Sequence, residues 1–459
     1  MARTADPLTG EELARQIDRD EVDTVVVCFP DLNGRLLGKR MTGHFFLDDT
    51  LHHGIEACDY LIATDVEMNI LPGYGFANWA LGYGDMRAIP DLSTLRRIPW
   101  LDKTALVLCD LVDAAGAAIE VSPRQILKHQ IERAARHGYT VMAGAELEFY
   151  LFRESFDEAA AKGHRALTPH SSVVQDYHVL QTTKDEYVLR AIRNGLDGAA
   201  IPVECSKGEA GVAQHEVNVR YADALTTADR LVIMKNAVKE IAHAAGRSVT
   251  FMAKYSMVDT GSSCHVHSSL WSADSGAPAS ADDAGPYGMS QDFAHYVAGM
   301  VATAREFAFL FAPTINSYKR YQPGSWAPTA VTWGTDNRTC GLRRVGQGAT
   351  STRVESRIPG ADANPYLAIA GVIAGGLHGI EQRVALGPPY AGNAYEAGDV
   401  ERIPWNLSDA TALFAASDIA RVAFGDNVHA HLVNNARQEW ASFNRSVTDW
   451  ELTRNFEQI

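Results

Sequence analysis

Apolar and polar positions along this chain follow two different periods. Residues 10–20 place apolar side chains at helical spacing, which predicts a short helix. Thr24-Val-Val-Val-Cys-Phe29 is instead a continuous apolar run, stopped by Asp31-Leu-Asn-Gly34. Arg35 to Met41 then returns as the second strand of a hairpin, since Asn-Gly supplies the positive φ such a turn requires. Residues 66–98, rich in Gly, Pro and aromatics, predict irregular structure. Ala105 to Leu111 reads as a buried strand. Ser122 and Pro123 open a clear helix, the serine as its cap and the proline in its first turn, and Gly138 ends it. Tyr139 to Phe152 follows as a strand. Further helices fit 225–246, 290–312 and 364–386, with an exposed loop at 272–289 and an amphipathic helical tail from 408 onward.

A chain of 459 residues is long for one core, so two domains are expected: 1–104, small and β-rich, and 105–459, large and α+β. The balance of 41 basic against 56 acidic residues, net −15, argues against nucleic acid or an anionic membrane as partner. Met-Ala-Arg-Thr-Ala-Asp-Pro lacks an apolar signal core, and polar residues interrupt every apolar stretch before the ~20 residues a membrane span needs. A soluble, cytoplasmic protein is expected. Six single cysteines (28, 58, 109, 205, 264, 340) fit a reducing compartment; they read as core or near-core residues, with no thiolate zinc site. Neither a phosphate-binding loop nor a Gly-x-Gly-x-x-Gly occurs, so any nucleotide phosphates must be held by metal and arginine.

Four segments carry the candidate chemistry. Glu146 and Glu148 lie in Ala-Glu-Leu-Glu-Phe-Tyr-Leu-Phe, Glu209 and Glu216 flank Ala-Gly-Val-Ala-Gln-His, His265 and His267 lie in Cys-His-Val-His, and Glu355 lies in Arg-Val-Glu-Ser-Arg. Polar-x-polar is strand spacing, in which residues i and i+2 point the same way. Two carboxylates buried side by side in an apolar strand repel unless a cation sits between them. Carboxylates joined by an imidazole suit Mg²⁺ or Mn²⁺.

These segments, in order with Asn-Ser-Tyr-Lys-Arg (316–320), Asn-Arg (337–338), Arg-x-Glu-x-Arg (353–357) and Asn-Pro-Tyr-Leu (364–367), closely resemble the type I glutamine synthetase superfamily over essentially the whole chain. The resemblance implies an N-terminal β-grasp domain and a C-terminal catalytic domain whose curved antiparallel sheet forms a half-barrel. It also implies a homo-oligomer, a dodecamer of two hexameric rings with active sites shared across interfaces. The implied substrates are ATP, L-glutamate and an amine, with two or more divalent ions per site. Glu148, Glu209 and Glu216 match the ligands of the ion on the glutamate side, although the Glu209–Glu216 spacing is one residue shorter than in bacterial glutamine synthetases. Glu146, His265 and Glu355 match the ligands of the ion on the nucleotide side. Arg320 matches the residue gripping the α-carboxylate of glutamate, Arg357 a second substrate arginine, and Arg338, Arg343 and Arg353 the phosphate path. Tyr221, His267 and Ser269 match nucleotide-side positions.

The departures concern the second substrate. The family's flap carries a glutamate that helps bind and deprotonate ammonium; here it reads Pro323-Gly-Ser-Trp326-Ala-Pro328. The block supplying the ammonium-binding aspartate is also missing, and Glu56-Ala-Cys-Asp59 to Asp65 stands in its region. An indole in place of a carboxylate suits an alkylammonium, through apolar contact and cation–π attraction. This favours a glutamate–amine ligase making a γ-glutamyl amide, with a short amine such as ethanolamine ahead. A polyamine, whose second cation would draw on Asp59, Asp65 and Glu67, stands as one alternative. An ordinary glutamine synthetase and an inactive structural or sensing member are the others. Thr260-Gly261 replaces the Asn-Gly that touches the amino end of glutamate, and Tyr395 lies in a remnant of the family's adenylylation loop without that loop's leucines and proline. Tyr395 is therefore not expected to be a regulatory target.

Overall fold

A computed structural model describes residues 6–459. The expected hairpin is present: β1 (Thr24–Pro30) pairs antiparallel with β2 (Leu36–Thr42). Its turn is held by the Asp31 carboxylate, which accepts from the Asn33 and Arg35 amides at 2.9 and 2.8 Å, while Gly34 takes φ 73°. Residues 66–98 are more ordered than expected. After β3 (Ile55–Cys58), two strands fall in that stretch, β4 (Asp85–Pro90) and β5 (Arg96–Arg97). Met86 and Ala88 alternate into the core, but the run is short, ends in proline, and pairs with residues distant in sequence. Local pattern does not register such pairing.

β6 (Thr104–Val112) runs parallel to β1 and central in the sheet order β2-β1-β6-β4-β3, with β5 also on β6. Division of the chain at 104/105 separates this strand from its sheet, whose strands extend to residue 112. The helix Pro123–Arg136 starts as expected, but the Ser122 hydroxyl makes no capping hydrogen bond. Gly138, φ 81°, lies between that helix and β7 (Tyr139–Phe152).

The second sheet adds β8 (Val203–Gly208), β9 (Gln214–Asp223), β10 (Ser248–Thr250), β11 (Cys264–Ser272), β12 (Trp333–Thr335), β13 (Leu342–Val345) and β14 (Arg353–Ser356). Its order is β12-β13-β14-β11-β7-β9-β8, with β10 on β7. It curves nearly closed, and with the helices around it gives the expected α+β architecture. In this sheet, among the described residues, only β12 and β13 pair in parallel.

Helices Ala224–Ala244, Gln291–Thr303 and Pro365–Gln382 cover this sheet's apolar surface. The last two pack backbone to backbone: a Cβ on Gly299 would fall 2.2 Å from the Gly375 carbonyl. The helix expected over 290–312 breaks after Thr303 and resumes at Ala308–Phe311, which lets Arg305 reach Glu401 at 2.7 Å and Glu306 accept from Ser417. The helix expected over 364–386 ends at Gln382, with Arg383 left-handed. A 20-residue helix, Val179–Gly198, was not anticipated; its first turn exposes Val179 and Leu180, which blurs the apolar stripe. Arg124, 1% exposed, ties the two sheets' surroundings together by pairing with Asp91, Asp110 and Asp229. Cys205 is exposed, unlike the other cysteines, so it is not a core residue. Among the described residues no helix is long and apolar enough to cross a membrane.

Candidate active site

Strand register assembles the site. On β7, Glu146 lies opposite His265 of β11, and Glu148 opposite Glu216 of β9. His267 lies opposite Glu355 of β14, and Glu355 opposite Arg343 of β13. On the far side Glu216 faces Lys207 of β8. Side chains two apart share a face, so one surface of the curved sheet collects these groups. All of them but His267 and Glu355 line a cavity of about 480 Å³.

Two clusters result, in each of which the ligand atoms lie within 4.8 Å of one another: Glu148, Glu209 and Glu216, and Glu146, His267 and Glu355. His265, matched by resemblance to the second set, is equally close. Its Nδ1 is 3.1 Å from Glu146 and 3.4 Å from Glu355, while His267 Nε2 is 3.2 Å from the other Glu146 oxygen. His265 Nε2 is buried without a hydrogen-bond partner among the described residues.

The electrostatics of the clusters differ. Glu148 is pushed above the ordinary carboxylate range by burial and then by Glu209, and Glu216 by burial and then by Glu148. Glu148 still accepts from the Ser263 amide at 2.8 Å and the Gln214 side chain at 3.0 Å, and Lys207 ion-pairs with Glu209. In the other cluster burial opposes ionisation, but His265, Arg357 and His267 outweigh it and hold Glu355 down to about 2. Hydrogen bonds with His265 and His267 likewise hold Glu146 well below its usual value, against the effect of burial. A set of three close carboxylates, and a second of two carboxylates with imidazoles, fit divalent cations.

The arginines divide by availability. Arg320 is 1% exposed, and its fork already donates to Ile358 O, Ser263 Oγ and Arg357 O at 2.8, 2.7 and 3.0 Å; its Nε is buried without a hydrogen-bond partner among the described residues. Arg357 donates to Glu355 at 2.5 Å and to the Trp326 carbonyl at 3.4 Å. Arg343 is shared between Glu355, at 2.9 Å, and Asp336. Arg353 donates to His267 Nδ1 at 3.2 Å, one layer behind the cavity. Arg338 lines the cavity, and among the described residues it has no hydrogen-bond or ion-pair partner. Gly261 also lines it, beside Arg320 with no room for a Cβ, which would lie 2.7 Å from Arg320 Cγ.

Trp326 lines the cavity from the flap, 55% exposed and with φ 65°, a left-handed conformation unusual for an indole-bearing residue. Tyr221 and Ser269 are not among the cavity-lining residues; Tyr221 is exposed against Gly144, and Ser269 accepts from the Trp271 indole at 3.2 Å. Asp59, Asp65 and Glu67 do not line the cavity of their own chain, and Asp65 is occupied by the amides of Glu67 and Asn69. Sequence reasoning overlooked Lys207, Asp176 and Tyr177 in the lining. Lys207-Gly-Glu209 repeats the polar-x-polar signal and could have been found; Asp176 and Tyr177 sit in a loop with no period.

A family model described as glutamine synthetase, catalytic domain, matches residues 120–455. A γ-glutamylethanolamide synthetase of Streptomyces coelicolor is 50% identical over 459 residues, 100% of this chain and 98% of that protein. A glutamate–isopropylamine ligase of a Pseudomonas species is 38% identical over 445 residues, 96% of this chain and 97% of that protein. The solved complex of GmaS with ADP aligns with a TM-score of 0.84 at 28% identity, covering 97% of this chain and 99% of that one.

Proposed function

The chain belongs to the glutamine synthetase family, and we propose that it joins the γ-carboxylate of L-glutamate to a short primary monoamine such as ethanolamine, using ATP. It is a carbon–nitrogen ligase of the γ-glutamyl-amine type. One observation carries the choice of amine over ammonium: an indole, Trp326, stands in the flap over the cavity. The similarity to an ethanolamide synthetase supports a small amine.

A carboxylate is a poor electrophile. Transfer of the ATP γ-phosphoryl group to the glutamate γ-carboxylate yields an acyl phosphate and ADP; the uncharged amine nitrogen then attacks the acyl carbon, phosphate leaves, and the nitrogen releases a proton to give the amide. The family uses ATP and divalent metal ions. We assign two Mg²⁺ or Mn²⁺ to Glu148, Glu209 and Glu216 and to Glu146, Glu355 and the two imidazoles. When bound they neutralise phosphoryl oxygens. Arg338 offers an unengaged guanidinium to the transferring group, with Arg343 beside it. Arg357 couples the flap to this site by holding both Glu355 and the Trp326 carbonyl. Tyr221, Ser269 and Arg353 are assigned to the nucleotide side by resemblance. A dodecamer of two hexameric rings accompanies this reading; Trp79 and Leu81, 81% and 63% exposed, present apolar surface that such packing would cover.

The deciding assay is ATP-dependent phosphate release with glutamate against a panel of amines that includes ammonium. Ethanolamine is expected to exceed ammonium in kcat/KM, and Trp326→Glu to move that ratio towards ammonium by ~10-fold. Ammonium preferred over every amine would make this an ordinary glutamine synthetase with an unusual flap. Arg320→Lys should raise the glutamate KM and lower Tm together, because lysine cannot replace a fork that braces Ile358, Ser263 and Arg357. Each charged hydrogen bond is worth about 1.5–3 kcal/mol. An unchanged KM would remove Arg320 from glutamate binding.

A further inference from the structure

Four of the five acids lining the cavity belong to the two clusters; the fifth, Asp176, belongs to neither. It adjoins Tyr177, which is 71% exposed and left-handed at φ 55°. The loop is fixed against β8. The Tyr177 amide donates to Gly208 O at 3.3 Å, and Gly208 admits no Cβ, which would lie 2.6 Å from Gln175 Cβ. An anion beside an aromatic face is the chemistry that recognises an alkylammonium.

The chain itself fills that place. Lys207 Nζ lies 4.5 Å from the centre of the Tyr177 ring and 4.0 Å from Asp176, while also pairing with Glu209. A lysine side chain ends in a primary alkylammonium, so Lys207 shows what the subsite accepts and at the same time occupies it. We propose that Lys207 is a specificity-determining residue that restricts the enzyme to amines with one positive charge, because its ammonium holds the Asp176–Tyr177 subsite that a second substrate ammonium would need. This rests on the glutamate–amine ligase reading. A diamine entering the cavity meets a fixed like charge where it would require an anion. A monoamine presents no second charge to be repelled.

The test compares 1,4-diaminobutane with butylamine, which matches it in length and lacks the second charge. Wild-type enzyme is expected to prefer butylamine in kcat/KM. Lys207→Met should raise the diaminobutane-to-butylamine ratio by ~10-fold. Lys207→Arg should keep the wild-type ratio, and Asp176→Asn added to Lys207→Met should cancel the gain. Calorimetric titration with 1,4-diaminobutane reads the same subsite without turnover, so loss of activity in Lys207→Met leaves the answer legible as a rise in affinity. A ratio and an affinity both unchanged to within about twofold in Lys207→Met would overturn the proposal. Wild-type preference for ammonium would instead overturn the ligase reading, a separate outcome.

Discussion

Glu148→Ala should reduce ATP-dependent phosphate release by ~10³-fold or more, about 4 kcal/mol of transition-state stabilisation, with the fold intact. Glu148 is buried on β7 opposite Glu216, and Glu209 completes its cluster. Three carboxylates so placed hold a cation tightly or repel one another. Their mutual effect is visible in Glu148 and Glu216, both raised by burial and by neighbouring carboxylates. A raised folded-state value means that, without metal, the native protein keeps protons that the unfolded chain has released. The contribution of these two groups to the stability of the metal-free protein is therefore fully present below the unfolded carboxylate value and is lost as pH rises through the raised one. Added Mg²⁺ or Mn²⁺ should reverse that loss and raise Tm. Alanine at 148 removes a proposed ligand and one of the repelling charges, so the loss with rising pH should shrink and the metal-induced Tm shift should weaken. Near-normal turnover in the variant, or an unchanged metal-induced shift, would take Glu148 out of the site.

Arg338→Ala should lower kcat by ~10²–10³-fold while changing stability by less than about 0.5 kcal/mol. The contrast with Arg320 makes the case. Arg320 is committed to three protein acceptors, so its loss should damage the framework as well as the proposed glutamate binding. Arg338 lines the same cavity, exposed, and without a hydrogen-bond or ion-pair partner among the described residues. A guanidinium kept free beside two clusters of carboxylates is available to an anionic ligand, and the proposed reaction supplies one in its transferring phosphoryl group. Single-turnover phosphate release and a thermal melt on the same preparation separate the two effects. A melt lowered as far as that of Arg320→Lys, with kcat preserved, would assign Arg338 a structural role instead.

Much of the site is legible along the chain because β-strand periodicity is local. Glu146 with Glu148 and His265 with His267 each declare by spacing alone that they share a face, and the hairpin at Asn33-Gly34 declares itself by the φ its turn demands. The apolar runs at Thr24–Phe29 and Tyr139–Phe152 likewise mark strands without reference to their partners. The indole in the flap is a fact of sequence, and the proposed departure from ammonium rests on it. What spacing cannot carry is which strands meet. Glu148 faces Glu216 and His267 faces Glu355 because β7 pairs with β9 and β11 with β14, and such pairing is set by burial of whole sheet faces. The same non-local pairing made β4 a strand inside a stretch whose composition reads as loop, and placed β6 in the first sheet. The division between committed and free arginines, and the seating of Lys207 on Tyr177, were decided by tertiary structure alone. Charge and hydrogen-bond availability depend on distances in space, and residues on separate strands and loops acquire those distances only when the sheet closes.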